Sequence, residues 1–212
     1  MKYIFLILSV FTVVMISCKK QMPQNAVQTE RNERIKKIKE NVDKLNKEKE
    51  WKLIKDNLYI SKNGDLGFKT MEATEEGIFI DRYLTHVFVD DFVLMNNVID
   101  SKTFEFLGSS FYKDKNHIYS HFVMADGGTF SVVEDADINT FQVIGDCYAK
   151  DKNYIFGEKA LLMDYVDYKT FKTKKGIGCY SSDKTGYYFW DKKLNMNELD
   201  EYAQKAIEQL KQ

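Results

Sequence analysis

The feature that most limits what this chain can become is an internal repeat. Three segments align on one aspartate: Phe111-Tyr112-Lys113-Asp114-Lys115-Asn116-His117-Ile118-Tyr119, Tyr148-Ala149-Lys150-Asp151-Lys152-Asn153-Tyr154-Ile155-Phe156, and Tyr180-Ser181-Ser182-Asp183-Lys184-Thr185-Gly186-Tyr187-Tyr188. From Asp114 to Asp151 is 37 residues, and from Asp151 to Asp183 is 32. Upstream of each lies an Asp-x-x-Thr-Phe element, beginning at Asp100, Asp137 and Asp167. Self-similarity on this scale means small units, each burying one face against its neighbour. Within a unit, an aromatic strand, a turn and an apolar pair read as a β-hairpin. An aspartate side chain accepts from backbone amides two residues on, and asparagine tolerates the left-handed region. Asp114, Asn116, Asp151, Asn153 and Asp183 are therefore structural turn residues, while Asp-x-x-Thr-Phe reads as one turn with Asp as cap and Phe as plug. The third copy departs, with Thr185 in place of Asn and two extra residues upstream, which puts its turn geometry in question.

Thirteen Tyr and fifteen Phe with a single Pro fit aromatic strands joined by Gly, Asn and Asp turns. Asn63-Gly64, between Leu58-Tyr59-Ile60 and Leu66 to Phe68, predicts a two-residue hairpin turn. Ala125-Asp126-Gly127-Gly128 predicts a second hairpin. A degenerate earlier copy of the repeat is sought between Trp51 and Asp91. The expected fold is mainly β: antiparallel β-hairpin repeats over 51–194, with repeats from about Val98, flanked by a polar N-terminal helix and a C-terminal amphipathic helix.

The flanks read as helices by periodicity. Over 18–50, Ile35, Ile38, Val42 and Leu45 make a thin seam on a polar tether, with Glu30 and Arg34 offering an i,i+4 pair. A solvated spacer is the first expectation, a short self-associating coiled coil the second. Over 195–212, Leu199, Tyr202, Ala203, Ala206, Ile207 and Leu210 form an apolar stripe, and Asn195 with Glu198 make a capping pair. That helix is expected to cover the open edge of the last repeat.

The first residues carry a different message. Lys2 precedes an apolar run from Tyr3 to Ile16, too short to span a bilayer comfortably, so residues 1–17 read as a cleaved export signal. Met15-Ile16-Ser17-Cys18 resembles the lipobox of bacterial lipoproteins, with Met15 where Leu is usual. The resemblance implies lipidation of Cys18, a palmitate-type anchor, and a folded chain outside the cytoplasm, on the periplasmic face of the outer membrane. Several acyl chains hold durably what one holds only marginally. The repeats in turn resemble those of the DKNYY family, envelope proteins named for the motif; the resemblance implies no site residues.

A formal net charge of −1 gives no nucleic-acid footprint. No catalytic, metal or cofactor signature stands out. Asp135-Ala136-Asp137-Ile138-Asn139 begins like a calcium loop but has Thr140 where Gly is required. His117 and His121 are four apart on a strand rather than a helix, and His86 stands alone. Cys147 and Cys179 occupy one place in successive repeats, so they read as a disulfide or as two small buried residues, Ser110 being the counterpart in the first copy. Tyr187, Tyr188, Phe189 and Trp190 read either as a binding strip or as the core of the last hairpin. The function expected is that of a membrane-anchored, non-enzymatic module binding a protein partner, an adaptor or an immunity-type lipoprotein. A carbohydrate-binding protein or a cell-wall carbohydrate-active enzyme is the alternative.

Overall fold

A computed structural model describes residues 24–159 and 161–212; Cys18 and the expected export signal lie outside them. The fold is mainly β, made of antiparallel sheets and hairpins with a helix at each end. Helix α1 (Gln24–Lys49) leads into a first sheet of β1 (Lys52–Lys55), β2 (Leu58–Ile60), β3 (Leu66–Ala73) and β4 (Phe79–Leu84), paired in chain order. The second sheet has β5 (His86–Phe88), β6 (Phe92–Leu94), β7 (Glu105–Gly108), β8 (Phe111–Lys113), β9 (Ile118–Phe122) and β10 (Thr129–Val132). Here β7 to β10 run as a meander, and the β5–β6 hairpin joins β10 in parallel at Ser131 and Phe88. The third sheet is the meander β11 (Gln142–Val143), β12 (Tyr148–Lys150), β13 (Ile155–Gly157) and β14 (Leu161–Leu162). The fourth is β15 (Lys172–Thr173), β16 (Tyr180–Asp183), β17 (Gly186–Phe189) and β18 (Lys192–Lys193), followed by helix α2 (Glu201–Leu210).

Strands this short cannot bury a core alone, and the core is accordingly a ladder of clusters between neighbours. Leu58 and Phe68 of the first sheet pack with Tyr112, Tyr119 and Phe130 of the second. Phe111, Ile118 and Val133 pack with Ala149 and Phe156 of the third. Tyr148, Ile155 and Met163 then meet Cys179 and Trp190 of the fourth, and Ile177, Tyr180 and Tyr187 meet Ala206 and Leu210 of α2. The plug phenylalanines fall one to a cluster: Phe104, Phe141 and Phe171. Phe104 is fully buried, which for such a side chain is worth about 1.5–3 kcal/mol.

The structure corrects the flanks and one turn. Helix α2 begins at Glu201 and not near Asn195: Asp200 is the cap, accepting the amide of Ala203 at 2.7 Å. Asn195 makes only a local turn, accepting from Asn197 and Glu198. Tyr202, placed in the apolar stripe, points outward at 77% exposure, while Ala203, Ala206, Ile207 and Leu210 are buried. In α1, Arg34 pairs with Glu76 of the β3–β4 loop rather than with Glu30, and Arg31 joins it, so the tether is held against the first sheet. Between β2 and β3, Ser61 donates its amide to the Asp65 carbonyl, leaving a three-residue loop in which Gly64 alone has positive φ. The two-residue turn with positive φ at both positions is Asp56-Asn57, between β1 and β2. The second hairpin lies where expected, between β9 and β10.

Candidate functional site

Each repeat is closed by one carboxylate. Asp151 is buried; its Oδ1 accepts the amides of Asn153 and Tyr154 at 2.7 Å, and its Oδ2 the amide of Asp137 at 2.8 Å. Asp114 does the same for Asn116, His117 and Asp100. Asp183 repeats the pattern with Thr185, Gly186 and Asp167, so neither Thr185 nor the two extra residues disturb the third turn. Thr185 also donates its hydroxyl to Asp183 Oδ1 at 2.8 Å. The upstream aspartates each accept from their threonine amide and hydroxyl and pair with the repeat lysine: Asp100 with Lys115 at 2.7 Å, Asp137 with Lys152 and Asp167 with Lys184 at 2.6 Å. The lysine contacts, aided by the threonine donors, hold Asp100 and Asp167 down at about 2 and lower Asp137 too. Asp137 is thus the cap of a turn.

At the other end of each central hairpin the backbone repeats one pairing. His121 donates its amide to the Ser110 carbonyl at 2.9 Å, Glu158 to Cys147 at 3.0 Å, and Trp190 to Cys179 at 2.8 Å. In the first sheet, Lys69 donates to Asn57 at 2.8 Å in the same place. Six of these eight residues, Asn57, Lys69, Ser110, His121, Glu158 and Trp190, line one cavity of about 870 Å³ reached by all four sheets. Tyr59, Tyr112, Phe122, Asp81 and Asp146 complete its walls, with exposed Met71 and Val123 also in the lining. The first sheet is thus the degenerate copy. Its turn, Ser61-Lys62-Asn63, has a buried serine where the other copies have aspartate, and Ser61 Oγ accepts the amides of Asn63 and Asp65.

The groups around the cavity hold one another. Lys69 pairs with Asp81 at 2.7 Å. Asp146 Oδ2 accepts the amides of Gly176 and Gly178 at 2.7 and 2.8 Å. Trp190 donates its indole N–H to Glu158 Oε1 at 3.0 Å. His121 is buried and meets the Gly127 carbonyl at 3.0 Å; burial pushes its pKa down, favouring the neutral ring.

The sequence candidates are distributed as follows. Cys147 and Cys179 are joined in a disulfide with Cα atoms 5.1 Å apart, cross-linking the third and fourth sheets. Glu158 lies beside it, its carboxylate oxygen 3.5 Å from the Cys179 sulfur. These three gather their ligand atoms within 4.8 Å, but the disulfide leaves no thiolate to hold a metal. Tyr187 to Trp190 do not form an exposed strip: Tyr188 is buried, Tyr187 packs towards α2, and Trp190 faces the cavity. A strand alternates its side chains, so four consecutive aromatics cannot share one face. His117 lies beside Tyr119, away from the cavity lining, and so apart from His121.

Sequence reasoning missed most of the cavity. The signal was in the alignment: four residues before the turn aspartate stand Ser110, Cys147 and Cys179, and seven after it His121, Glu158 and Trp190. Those columns vary in chemistry while the turn column stays constant, as expected where a shared scaffold carries a variable lining.

No curated protein and no solved structure matches the chain. The DKNYY family matches residues 128–192, which takes in β10, the third sheet and the fourth sheet through Lys192. It begins later than the repeat itself, leaving the Asp114 copy outside, and covers the turns at Asp151 and Asp183 together with Glu158 and Trp190. On that match, and on two copies of the turn with the same backbone bonding, the chain carries a DKNYY family domain at residues 128–192.

Proposed function

We propose that this chain is a lipid-anchored, non-enzymatic binding module of the bacterial envelope, receiving a protein partner in the cavity between its four sheets. The observation that carries the reading is the convergence of one repeated backbone position, with a different side chain in each copy, on a single concavity. Repeat scaffolds build extended receptor surfaces in this way. Tyr59, Phe122 and Trp190 supply rigid contact area of the kind that dominates protein interfaces. Lipid on Cys18 would hold the module at the membrane, and α1 would set its distance from it.

The test is affinity capture from crosslinked cells, with a Cys18→Ala control, followed by mass spectrometry. One dominant protein partner, lost in the control and in a Trp190→Ala cavity variant, is the expected result. Recovery of glycan or peptidoglycan fragments alone would overturn the protein-binding reading in favour of a carbohydrate ligand.

A further inference from the structure

We infer that the cavity accepts a basic side chain, lysine or arginine, presented on an extended segment of the protein partner. The inference rests on the binding-module reading above and adds the chemistry of the bound segment. The lining holds three carboxylates, Asp81, Asp146 and Glu158, against one ammonium, Lys69. Lys69 and Asp81 neutralise each other at 2.7 Å, whereas Asp146 and Glu158 form no ion pair among the described residues. His121 adds no compensating charge, since burial favours its neutral form. The cavity therefore carries an uncompensated negative field inside walls of low polarizability, where an opposite charge is attracted more strongly than in water.

The geometry is suited to a cation in particular. Glu158 is oriented by the Trp190 indole through Oε1 and keeps Oε2 free of hydrogen bonds to described residues. Ser110, nine-tenths buried in the lining, has a hydroxyl with no partner among the described residues, an acceptor for an N–H donor. Trp190, half-buried in the lining, offers ring surface for the aliphatic stem. Trp190 already draws the ammonium of Lys159 to 5.3 Å from its ring centroid. A volume of about 870 Å³ reached from all four sheets exceeds what one side chain fills, so the basic residue is expected on a length of chain rather than as a free amine. An acidic segment would meet Lys69, which Asp81 already satisfies, and Lys159, which Asp191 pairs at 3.4 Å.

The test uses the full chain and three synthetic twelve-residue peptides, alternating Ala-Lys, Ala-Gln and Ala-Glu, with dissociation constants read from peptide fluorescence anisotropy. The Ala-Lys peptide is expected to bind at least ten-fold more tightly than either other. Glu158→Gln, which keeps an acceptor for the Trp190 indole, is expected to remove most of that preference, with near-ultraviolet circular dichroism checking that the fold persists. Ser110→Ala should weaken the same peptide without affecting the others. Equal binding of all three peptides, or a preference unchanged by Glu158→Gln, overturns the basic-ligand inference and leaves the binding module standing. Binding of none likewise overturns the basic-ligand inference, and the capture experiment then decides the binding module by itself.

Discussion

Trp190 donates its indole N–H to Glu158 at 3.0 Å, and the two residues occupy the same position in successive repeats. The contact joins the third sheet to the fourth beside the Cys147–Cys179 disulfide, whose cysteines are the backbone partners of the same two residues. Structure and the proposed recognition surface therefore share a boundary. The turn aspartates at one end of each hairpin keep the repeats alike, and the residues at the other end make them different where they meet.

The turn carboxylates should dominate stability. Replacing Asp151 with alanine strands three backbone amides, those of Asn153, Tyr154 and Asp137, in a buried setting. An unsatisfied buried donor costs about 1–3 kcal/mol, so Asp151→Ala should lose about 3 kcal/mol or more in urea unfolding. A change below about 0.5 kcal/mol, the size of an ordinary surface substitution, would contradict the closed-turn account.

Acid should loosen the repeats in a defined window. Contact with Lys115 and Lys184 and the threonine donors holds Asp100 and Asp167 at about 2 in the folded chain. A carboxyl with a depressed folded pKa contributes stability above its unfolded value, and that contribution disappears as pH falls through the folded value. Stability should therefore decline between about pH 4 and pH 2. Lys115→Met with Lys184→Met should move the decline to higher pH, as followed by circular dichroism. An unmoved acid midpoint would show that these pairs do not set it.

The disulfide should matter in proportion to the 32 residues between its cysteines. Chain entropy alone gives about 3–4 kcal/mol for a loop of that size. Cys147→Ser with Cys179→Ser should lower the unfolding midpoint, and the native chain should resist alkylation at both sulfurs until reduced. Ready alkylation without reductant would contradict the cross-link.

How far the sequence reaches follows from which interactions are local. The Asp-Lys-Asn turns each hold two amides within three residues, so their chemistry shows in any one copy, and the plug phenylalanines sit ten residues before Asp114 and Asp151 and twelve before Asp183. Asn195 and Asp200 are both cap-type residues before the same short helix, and it is Asp200 that accepts the Ala203 amide while Ala206 and Leu210 pack on the last repeat, a contact between elements that the local sequence does not show. The Ser61 turn hid because serine replaces the aspartate that marks the repeat. The cavity was hidden for a different reason. Lys69, His121, Glu158 and Trp190 are far apart in the chain, and only the packing of sheet on sheet brings them to one concavity.

The cap assignment is itself testable. Asp200→Ala should cost about 1 kcal/mol, the usual worth of an N-cap side chain, and Asn195→Ala much less. Equal effects in thermal unfolding would contradict a helix beginning at Glu201.

The central claim is that the cavity, and not another face, receives the partner. A photoreactive residue placed at Val123, exposed in the cavity lining, and another at Tyr154, exposed at the turn end of the third sheet, compare the two directly in living cells. A discrete protein adduct from position 123 and none from position 154 is the predicted result. An adduct from position 154 alone would place the binding surface at the turns and contradict the account.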